Sequence, residues 1–270
     1  MTGPRWRSVL FVPANRLQLV SKAVAAGPDV VVLDLEDAVP AAQKDDARDM
    51  LGDAVSAAEG AVPVFVRVNP VASEAFAVDL DALPPGVDGI VVPKFDTIAD
   101  RETVARATEL PVVAGIETVL GVADARLLLE PPVVACYFGA EDYIADLGGT
   151  RTTGNAEVAT ARALVGMAAR LARVPALDLV TIDFNDDARF TAEAREARAL
   201  GYTGKLCIHP RQVALAHDAF RPTDDEVAWA TRLLAAFNEA QGTTIAFEGL
   251  MVDEVVAARA RAVVEHDRGS

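Results

Sequence analysis

Short runs rich in Val and Ile alternate with longer segments of Ala, Leu, Glu and Arg along most of this chain. The apolar runs predict strands at about 6–13, 29–37, 62–69, 89–94, 111–117, 133–142, 177–183 and 204–210. Their unbroken apolar character suits strands covered on both faces, as in a parallel sheet, rather than strands with one face in water. The segments between them, such as Ala41–Ala58, Ala156–Ala172 and Ala188–Leu200, carry good helix formers. Strand starts mostly lie about 22 to 33 residues apart, the length of one βα unit. Eight such units predict a (β/α)8 TIM barrel over residues 1–221. A doubly wound open sheet fits less well, because no Gly-x-Gly-x-x-Gly turn follows the first strand.

Arg221-Pro222 opens a tail, 222–270, with helices predicted near 223–241 and 252–265 and a short segment at Thr243–Gly249. A barrel closes without it, so the expectation is a C-terminal helical extension packed on the barrel or on a neighbouring subunit. Between the sixth and seventh strands, Asp146-Leu-Gly-Gly-Thr-Arg-Thr-Thr-Gly-Asn155 reads as a mobile loop whose backbone approaches a ligand.

In such barrels the chemistry sits where the strands end. Those ends collect Asn15 and Arg16, then Asp34, Glu36 and Asp37, then Arg67 and Asn69, then Lys94. They continue with Glu117, with Glu141 and Asp142, with Asp183 and Asn185, and with His209. Pro111-Val-Val-Ala-Gly-Ile-Glu117 and Tyr137-Phe-Gly-Ala-Glu-Asp142 each run from apolar residues into carboxylates. Two carboxylates without a His or Cys cluster favour a hard cation, Mg2+ or Mn2+, with Glu117 and Asp142 as ligands and Glu141 as a rival. A paired acid/base site of the glycosidase kind competes, but at 6% aromatic residues the chain has few rings to line a sugar cleft.

Arg67, inside Val64-Phe-Val-Arg-Val68, needs an anionic ligand or an ion pair with Asp34 or Glu36. Lys94 reads as a phosphate or carboxylate contact ahead of a Schiff-base nucleophile. His209-Pro210 reads as a helix-start hydrogen bond ahead of a general acid/base.

Charge narrows the partners. With 40 acidic and 25 basic residues the net charge is −15, which argues against nucleic acid or a membrane surface. No apolar run approaches the roughly 18 residues that span a bilayer. Met1-Thr-Gly-Pro-Arg-Trp-Arg7 lacks a signal peptide's apolar core. Cys136 and Cys207 each lie in an apolar run and read as buried free thiols. The expected setting is cytoplasmic.

Eight motifs, in order and at compatible spacing, resemble the citrate lyase beta-subunit-like family within the HpcH/HpaI aldolase group. They are Leu10-Phe-Val-Pro-Ala-Asn-Arg16, Leu33-Asp-Leu-Glu-Asp37, Val66-Arg-Val-Asn69, Val92-Pro-Lys94, Gly115-Ile-Glu117, Phe138-Gly-Ala-Glu-Asp142, Leu206-Cys-Ile-His-Pro210 and Phe247-Glu-Gly-Leu-Met-Val-Asp253. The resemblance implies a TIM barrel and Mg2+-dependent cleavage or formation of a C–C bond in a 3-hydroxyacyl-CoA thioester, yielding an acyl-CoA and a keto acid.

It further implies that Glu117 and Asp142 hold the metal and that Arg67, Asp253 and Glu36 form the catalytic set. Arg67 would hold the keto-acid half and Asp253 would exchange a proton with the enolate. Arg16 and Lys94 would lie near the thioester and its phosphates, Glu36 and Asp37 would order the cluster, and Glu117 would also face substrate. The family's C-terminal segment places its aspartate over a neighbouring subunit's site, which implies a homo-oligomer, commonly a homotrimer. Gly148-Gly-Thr-Arg-Thr152 matches only part of the loop of complex-bound members, and the tail resembles stand-alone ones. Citryl-, malyl-, citramalyl- and 3-hydroxy-3-methylglutaryl-type thioesters all fit the resemblance. Thioester hydrolysis and a beta-subunit role in a citrate lyase complex are the alternatives.

Overall fold

The computed structural model describes residues 6–268. Residues 1–5, most of the segment read as lacking a signal-peptide core, lie outside the described residues. Eight parallel strands close into a barrel in chain order. They are β1 (Ser8–Pro13), β2 (Val30–Asp34), β3 (Val64–Arg67), β4 (Gly89–Val92), β5 (Val112–Ile116), β6 (Val133–Phe138), β7 (Ala176–Asp178) and β8 (Gly204–Cys207). Ser8 pairs with Lys205 and Leu10 with Cys207, which joins the last strand to the first.

Helices fill the crossovers. α1 (Leu17–Ala25) follows β1, α2 (Lys44–Asp49) and α3 (Leu51–Ser56) follow β2, α4 (Ala75–Asp81) follows β3, and α5 (Ile98–Ala107) follows β4. α6 (Val119–Leu128) follows β5, α7 (Ala140–Leu147) and α8 (Ala159–Ala172) follow β6, α9 (Asp187–Leu200) follows β7, and α10 (Arg211–Phe220) follows β8. The predicted strands are all present but shorter. The expected helix over 41–58 is divided into a 3-10 turn, α2 and α3.

Alternation along each strand decides which residues fill the barrel. Val9, Val30, Val32, Phe65, Val91, Val113, Ala135, Tyr137, Leu177 and Leu206 form the interior cluster. Continuing that period of two toward the strand ends brings Asp34 two residues after Val32, Arg67 two after Phe65, and Glu117 four after Val113. The polar mouth is therefore the next layer of the apolar stack. Gly115 makes room for it, since a Cβ there would lie 2.5 Å from the Tyr137 hydroxyl.

The opposite phase faces the helices and is apolar except at Ser8 of β1, whose hydroxyl lies 2.8 Å from His217 Nε2, and at β7 and β8. There Asp178 takes two hydrogen bonds of 3.0 Å from Arg162 of α8. The fully buried Lys205 amine lies 3.4 Å from Asp178 and 3.3 Å from Glu193 of α9, and donates to the Leu179 carbonyl at 2.7 Å. These charges pair across the layer between barrel and helices, where an unpaired one would be costly.

The chain divides into two compact units, Met1–His217 and Asp218–Ser270. The second contains α11 (Asp224–Glu239), β9 (Ile245–Phe247), β10 (Leu250–Val252) and α12 (Glu254–Arg268). Thr223 and Glu226 form a capping box at the start of α11. The expected short segment is an antiparallel hairpin, with Leu250 opposite Phe247 and Val252 opposite Ile245. Ala230, Leu233, Phe237, Val252, Ala257 and Ala260 form this unit's own core. Among the described residues no helix is long and apolar enough to cross a membrane. Both cysteines are buried and free.

Burial alone would raise the Glu193 pKa, but the Lys205 charge and hydrogen bonds from Thr181, Arg189 and Asn155 outweigh it and bring it from 4.5 to about 2. A carboxyl depressed in the folded state adds stability above its unfolded pKa and loses it as pH falls toward the folded value. Unfolding followed in urea should therefore show stability falling between pH 4.5 and about 2, with part of that slope missing in Glu193→Gln. An unchanged slope would contradict the pairing.

Candidate active site at the barrel mouth

Asp34 closes β2 facing the barrel interior and is 1% exposed. Its Oδ1 accepts from Arg67 Nε at 2.7 Å and from the Glu36 backbone N–H at 2.9 Å. Its Oδ2 accepts from Arg67 Nη2 at 2.5 Å and from the Ala38 N–H at 3.1 Å. One carboxylate thus fixes the arginine on the neighbouring strand and the turn that carries Glu36. Arg67 lies over the Phe11 ring, 4.9 Å from its centroid. Burial would lower the guanidinium's pKa, but the charge and hydrogen bonds of Asp34 outweigh it and hold the pKa well above the ordinary arginine value.

Glu36 lies between two cations, with Oε2 3.1 Å from Arg67 Nη1 and Oε1 2.8 Å from Lys94 Nζ. Oε2 is nonetheless buried without an aligned hydrogen bond. Burial raises the Glu36 pKa to about 7; Arg67 opposes the rise and the Glu117 charge adds to it.

Lys94 has a left-handed backbone, φ 48°, which a non-glycine residue adopts only where surrounding contacts hold it. Here the backbone N–H donates to Glu117 Oε2 at 2.9 Å, while the side-chain amine also comes within 3.5 Å of Asp142 Oδ1. Burial works to lower the Lys94 pKa, but its hydrogen bond to Glu36 and the surrounding negative charge raise it. A permanently charged amine suits an electrostatic contact, not a Schiff-base nucleophile.

Glu117 follows β5 and is 3% exposed. The next residue, Thr118, caps α6 by accepting from Gly121 N–H at 2.9 Å and donates to Asp96 Oδ1 at 2.6 Å. The chain therefore turns sharply and leaves Glu117 at the mouth. Burial raises its pKa; neighbouring Tyr137 and Arg67 oppose the rise, and the Asp142 charge reinforces it. The buried Tyr137 hydroxyl has no aligned hydrogen-bond partner and stays neutral, its pKa raised by burial and by Glu117.

Asp142 corrects one detail of the sequence reading. The sixth strand was expected to run to residue 142, but it stops at Phe138, and Glu141 and Asp142 stand in the first turn of α7. They diverge by the roughly 100° step of a helix, not by the two faces of a strand. Glu141 is held by Arg151 Nε at 2.9 Å, whereas Asp142 approaches Lys94.

The remaining expected residues are more dispersed. Arg16 and Asp37 are exposed on the turns after β1 and β2, and the Asp37 charge acts on Glu36. His209 stacks on Phe184 at 4.8 Å and its Nδ1 accepts from the Arg211 backbone N–H at 3.2 Å, a helix-start role. Asp183 accepts from Asn185 N–H at 3.0 Å in a surface turn. Asp253, in the second unit, accepts from Val256 N–H at 3.0 Å at the start of α12.

Sequence reasoning missed Tyr137 and the support under Asn69. Lys44 Nζ donates to the carbonyls of Leu35 at 2.8 Å and Glu36 at 3.2 Å, and also to Asn69 Oδ1. Asn69 in turn donates to Asp79, through its backbone at 2.7 Å and its side chain at 2.6 Å. The hydroxyl of Tyr137 at a strand end was the available signal, whereas Lys44 and Asp79 read as ordinary helix residues.

Because Asp34 is buried, removing its partner leaves a charge without compensation. Arg67→Met should cost about 3–5 kcal/mol of unfolding free energy, whereas adding Asp34→Asn, which removes the charge and keeps an acceptor oxygen for a backbone N–H, should recover part of the loss. Equal destabilisation in the single and double variants would show that the pair is not what holds the mouth.

The HpcH/HpaI aldolase/citrate lyase family matches residues 7–210. The citrate lyase subunit beta-like protein of Deinococcus radiodurans is 49% identical, with 97% of each chain covered. The mitochondrial citramalyl-CoA lyase of Homo sapiens is 31% identical over 92% of this chain and 81% of its own. The crystal structure of CitE from Mycobacterium tuberculosis, in complex with magnesium, acetoacetate and coenzyme A, superposes with a TM-score of 0.87 at 35% identity, covering 98% of this chain and all of that one. The likeness extends through the whole barrel and nearly the whole chain, and on that ground this protein belongs to the HpcH/HpaI aldolase/citrate lyase family.

Proposed function

We propose that this protein is a Mg2+-dependent carbon–carbon lyase that cleaves, or in reverse forms, a 3-hydroxyacyl-CoA thioester bearing a carboxylate. The observation that carries the reading is the mouth itself. Asp34, Glu36, Glu117 and Asp142 lie around Arg67 and Lys94, and Glu36 Oε2 and the Tyr137 hydroxyl are buried without aligned partners. That set suits a divalent cation and an oxygen-rich ligand. Among the described residues no three His, Cys, Asp or Glu side chains converge to enclose a metal. Two carboxylates, Glu117 and Asp142, with the remaining positions left to water and substrate, match how Mg2+ is held. When bound, the ion would supply Lewis-acid stabilisation of the oxygen at the cleaved carbon.

The protein's own groups account for the rest. Arg67 spends two of its five N–H groups on Asp34 and faces Glu36 with a third nitrogen-bound group, which leaves donors for the carboxylate of the keto-acid half. We assign Glu36, with a pKa near 7, to the hydroxyl proton. As that proton leaves, the C2–C3 bond breaks. Its electron pair passes into the thioester enolate and the carbinol carbon becomes the ketone. A proton then returns to C2, the role given to Asp253 from a neighbouring copy in a homo-oligomer. Lys94 balances the charge among Glu36, Asp142 and the enolate. Arg16 and Asp37, exposed at the rim, are assigned to the coenzyme A end.

The test is a panel of 3-hydroxyacyl-CoA thioesters incubated with Mg2+ or EDTA and followed by mass spectrometry. The expected result is metal-dependent acyl-CoA plus keto acid, with at least about 100-fold less turnover in Glu117→Ala and Asp253→Ala. Free CoA with an intact hydroxy acid would identify a hydrolase instead. No turnover by folded, metal-loaded protein would overturn the stand-alone lyase.

A Cβ at Gly139 would lie 2.6 Å from Glu117 Cγ and 2.7 Å from Oε1, so Gly139→Ala must displace that carboxylate. It should weaken Mg2+ binding by about 10-fold or more in calorimetry. Wild-type affinity would remove Glu117 from the ligand set.

A further inference from the structure

The structure assigns a positioning role to Arg151, in the loop after α7: we infer that it holds the first turn of this helix so that Asp142 faces the barrel mouth. The inference rests on the proposed role of Asp142 as a metal ligand. Gly148 ends α7 in a left-handed conformation, φ 75°, and Gly149 N–H returns to the Ile144 carbonyl at 3.0 Å. This reversal sends the chain back along the helix. Arg151 then engages three acceptors: Nε with Glu141 Oε1 at 2.9 Å, Nη2 with Asn155 Oδ1 at 2.9 Å, and Nη1 with Glu157 Oε1. A planar guanidinium with all three nitrogens engaged has little freedom, and a lysine could not reproduce the arrangement.

The far end of the contact is firmly anchored. Asn155, itself left-handed at φ 54° and 4% exposed, donates to Glu193 Oε1 at 3.3 Å. Glu193 Oε2 accepts from Thr181 at 2.5 Å and faces the buried Lys205 amine at 3.3 Å. A polar chain therefore runs from the barrel–helix layer through Arg151 to Glu141. Glu141 precedes Asp142 on the same helical turn, so fixing the direction of one fixes the direction of the other. Metal sites lose affinity when the groups that orient their ligands are removed, and nothing in the proposed chemistry otherwise uses Arg151 or Glu141. The loop expected to be mobile is thus tied at its centre, and its Gly-Gly start makes the reversal.

The test is Mg2+ calorimetry on the full chain, with thermal unfolding in EDTA recorded alongside. Arg151→Gln and Glu141→Ala should each weaken Mg2+ binding by about 10- to 100-fold. The double variant should bind no worse than the weaker single one, because both act through one contact. Glu141→Gln, which keeps an acceptor oxygen, should remain near wild type, and Arg151→Lys should recover only part of the affinity. Wild-type Mg2+ affinity in folded Arg151→Gln and Glu141→Ala, beside weakened binding in Asp142→Ala, would overturn this inference alone. Wild-type affinity in Asp142→Ala would overturn the ligand reading and this inference with it. Fully additive losses in the double variant would mean that Arg151 does not act through Glu141.

Discussion

The buried pair of Asp34 and Arg67 is the constraint from which the rest of the mouth follows. A closed barrel offers its interior no water, so a guanidinium on the inner face of β3 must meet a carboxylate there, and parallel pairing sets Arg67 beside Asp34. Each Asp34 oxygen accepts one guanidinium N–H and one backbone N–H. The same carboxylate therefore sets the arginine and the path of the chain into Glu36. Glu36 is then close enough to bind Lys94, whose backbone N–H orients Glu117. The order of this cluster is a sequence of geometric consequences, each beginning at a strand end.

Two supports keep that geometry from relaxing. Beneath β2 and β3, Lys44, Asn69, Asp79 and Arg48 form a polar chain, with Arg48 Nε on Asp79 Oδ1 at 2.8 Å. Lys44 binds the carbonyls of Leu35 and Glu36 directly, so a helix residue fixes the backbone that presents the Glu36 carboxyl. On the other side of the barrel, the charges of Asp178, Lys205, Arg162 and Glu193 pair between strands and helices. Buried polar groups with every partner in place are rigid, because moving any one leaves others unsatisfied.

The surplus of acidic over basic groups gives the mouth its chemical character. Four carboxylates, Asp34, Glu36, Glu117 and Asp142, lie beside the two cations Arg67 and Lys94; burial is the main reason the pKa values of Glu36 and Glu117 are raised, and neighbouring carboxylates add to it. A site that binds a cation and then an anionic substrate benefits from that imbalance. In the proposed reaction the two fixed cations would face the substrate carboxylate and the enolate. The small residues at Gly115 and Gly139 are part of the same design, since a Cβ at either would strike Tyr137 or Glu117.

The sequence by itself determined the eight strands, their parallel character and the identity of nearly every charged group at the mouth. Apolar runs ending in charge can be read locally, because alternation and strand length depend on neighbours in the chain. Tertiary structure decided what those charges do. Arg67 on an apolar strand called for Asp34 or Glu36 as its partner, and strand pairing decided that Asp34, 33 residues earlier, takes the two-pronged bond while Glu36 faces the third nitrogen. Asp142 read as a strand end because the run Val133–Phe138 leads into Gly139, and the helix start became visible only once the chain turned over the barrel rim. Lys44, Asp79 and Glu193 carry no local signature at all. A charged residue on a helix reads as solvated until packing shows that its side chain is turned inward, and packing is a property of the closed barrel, not of any stretch of the chain.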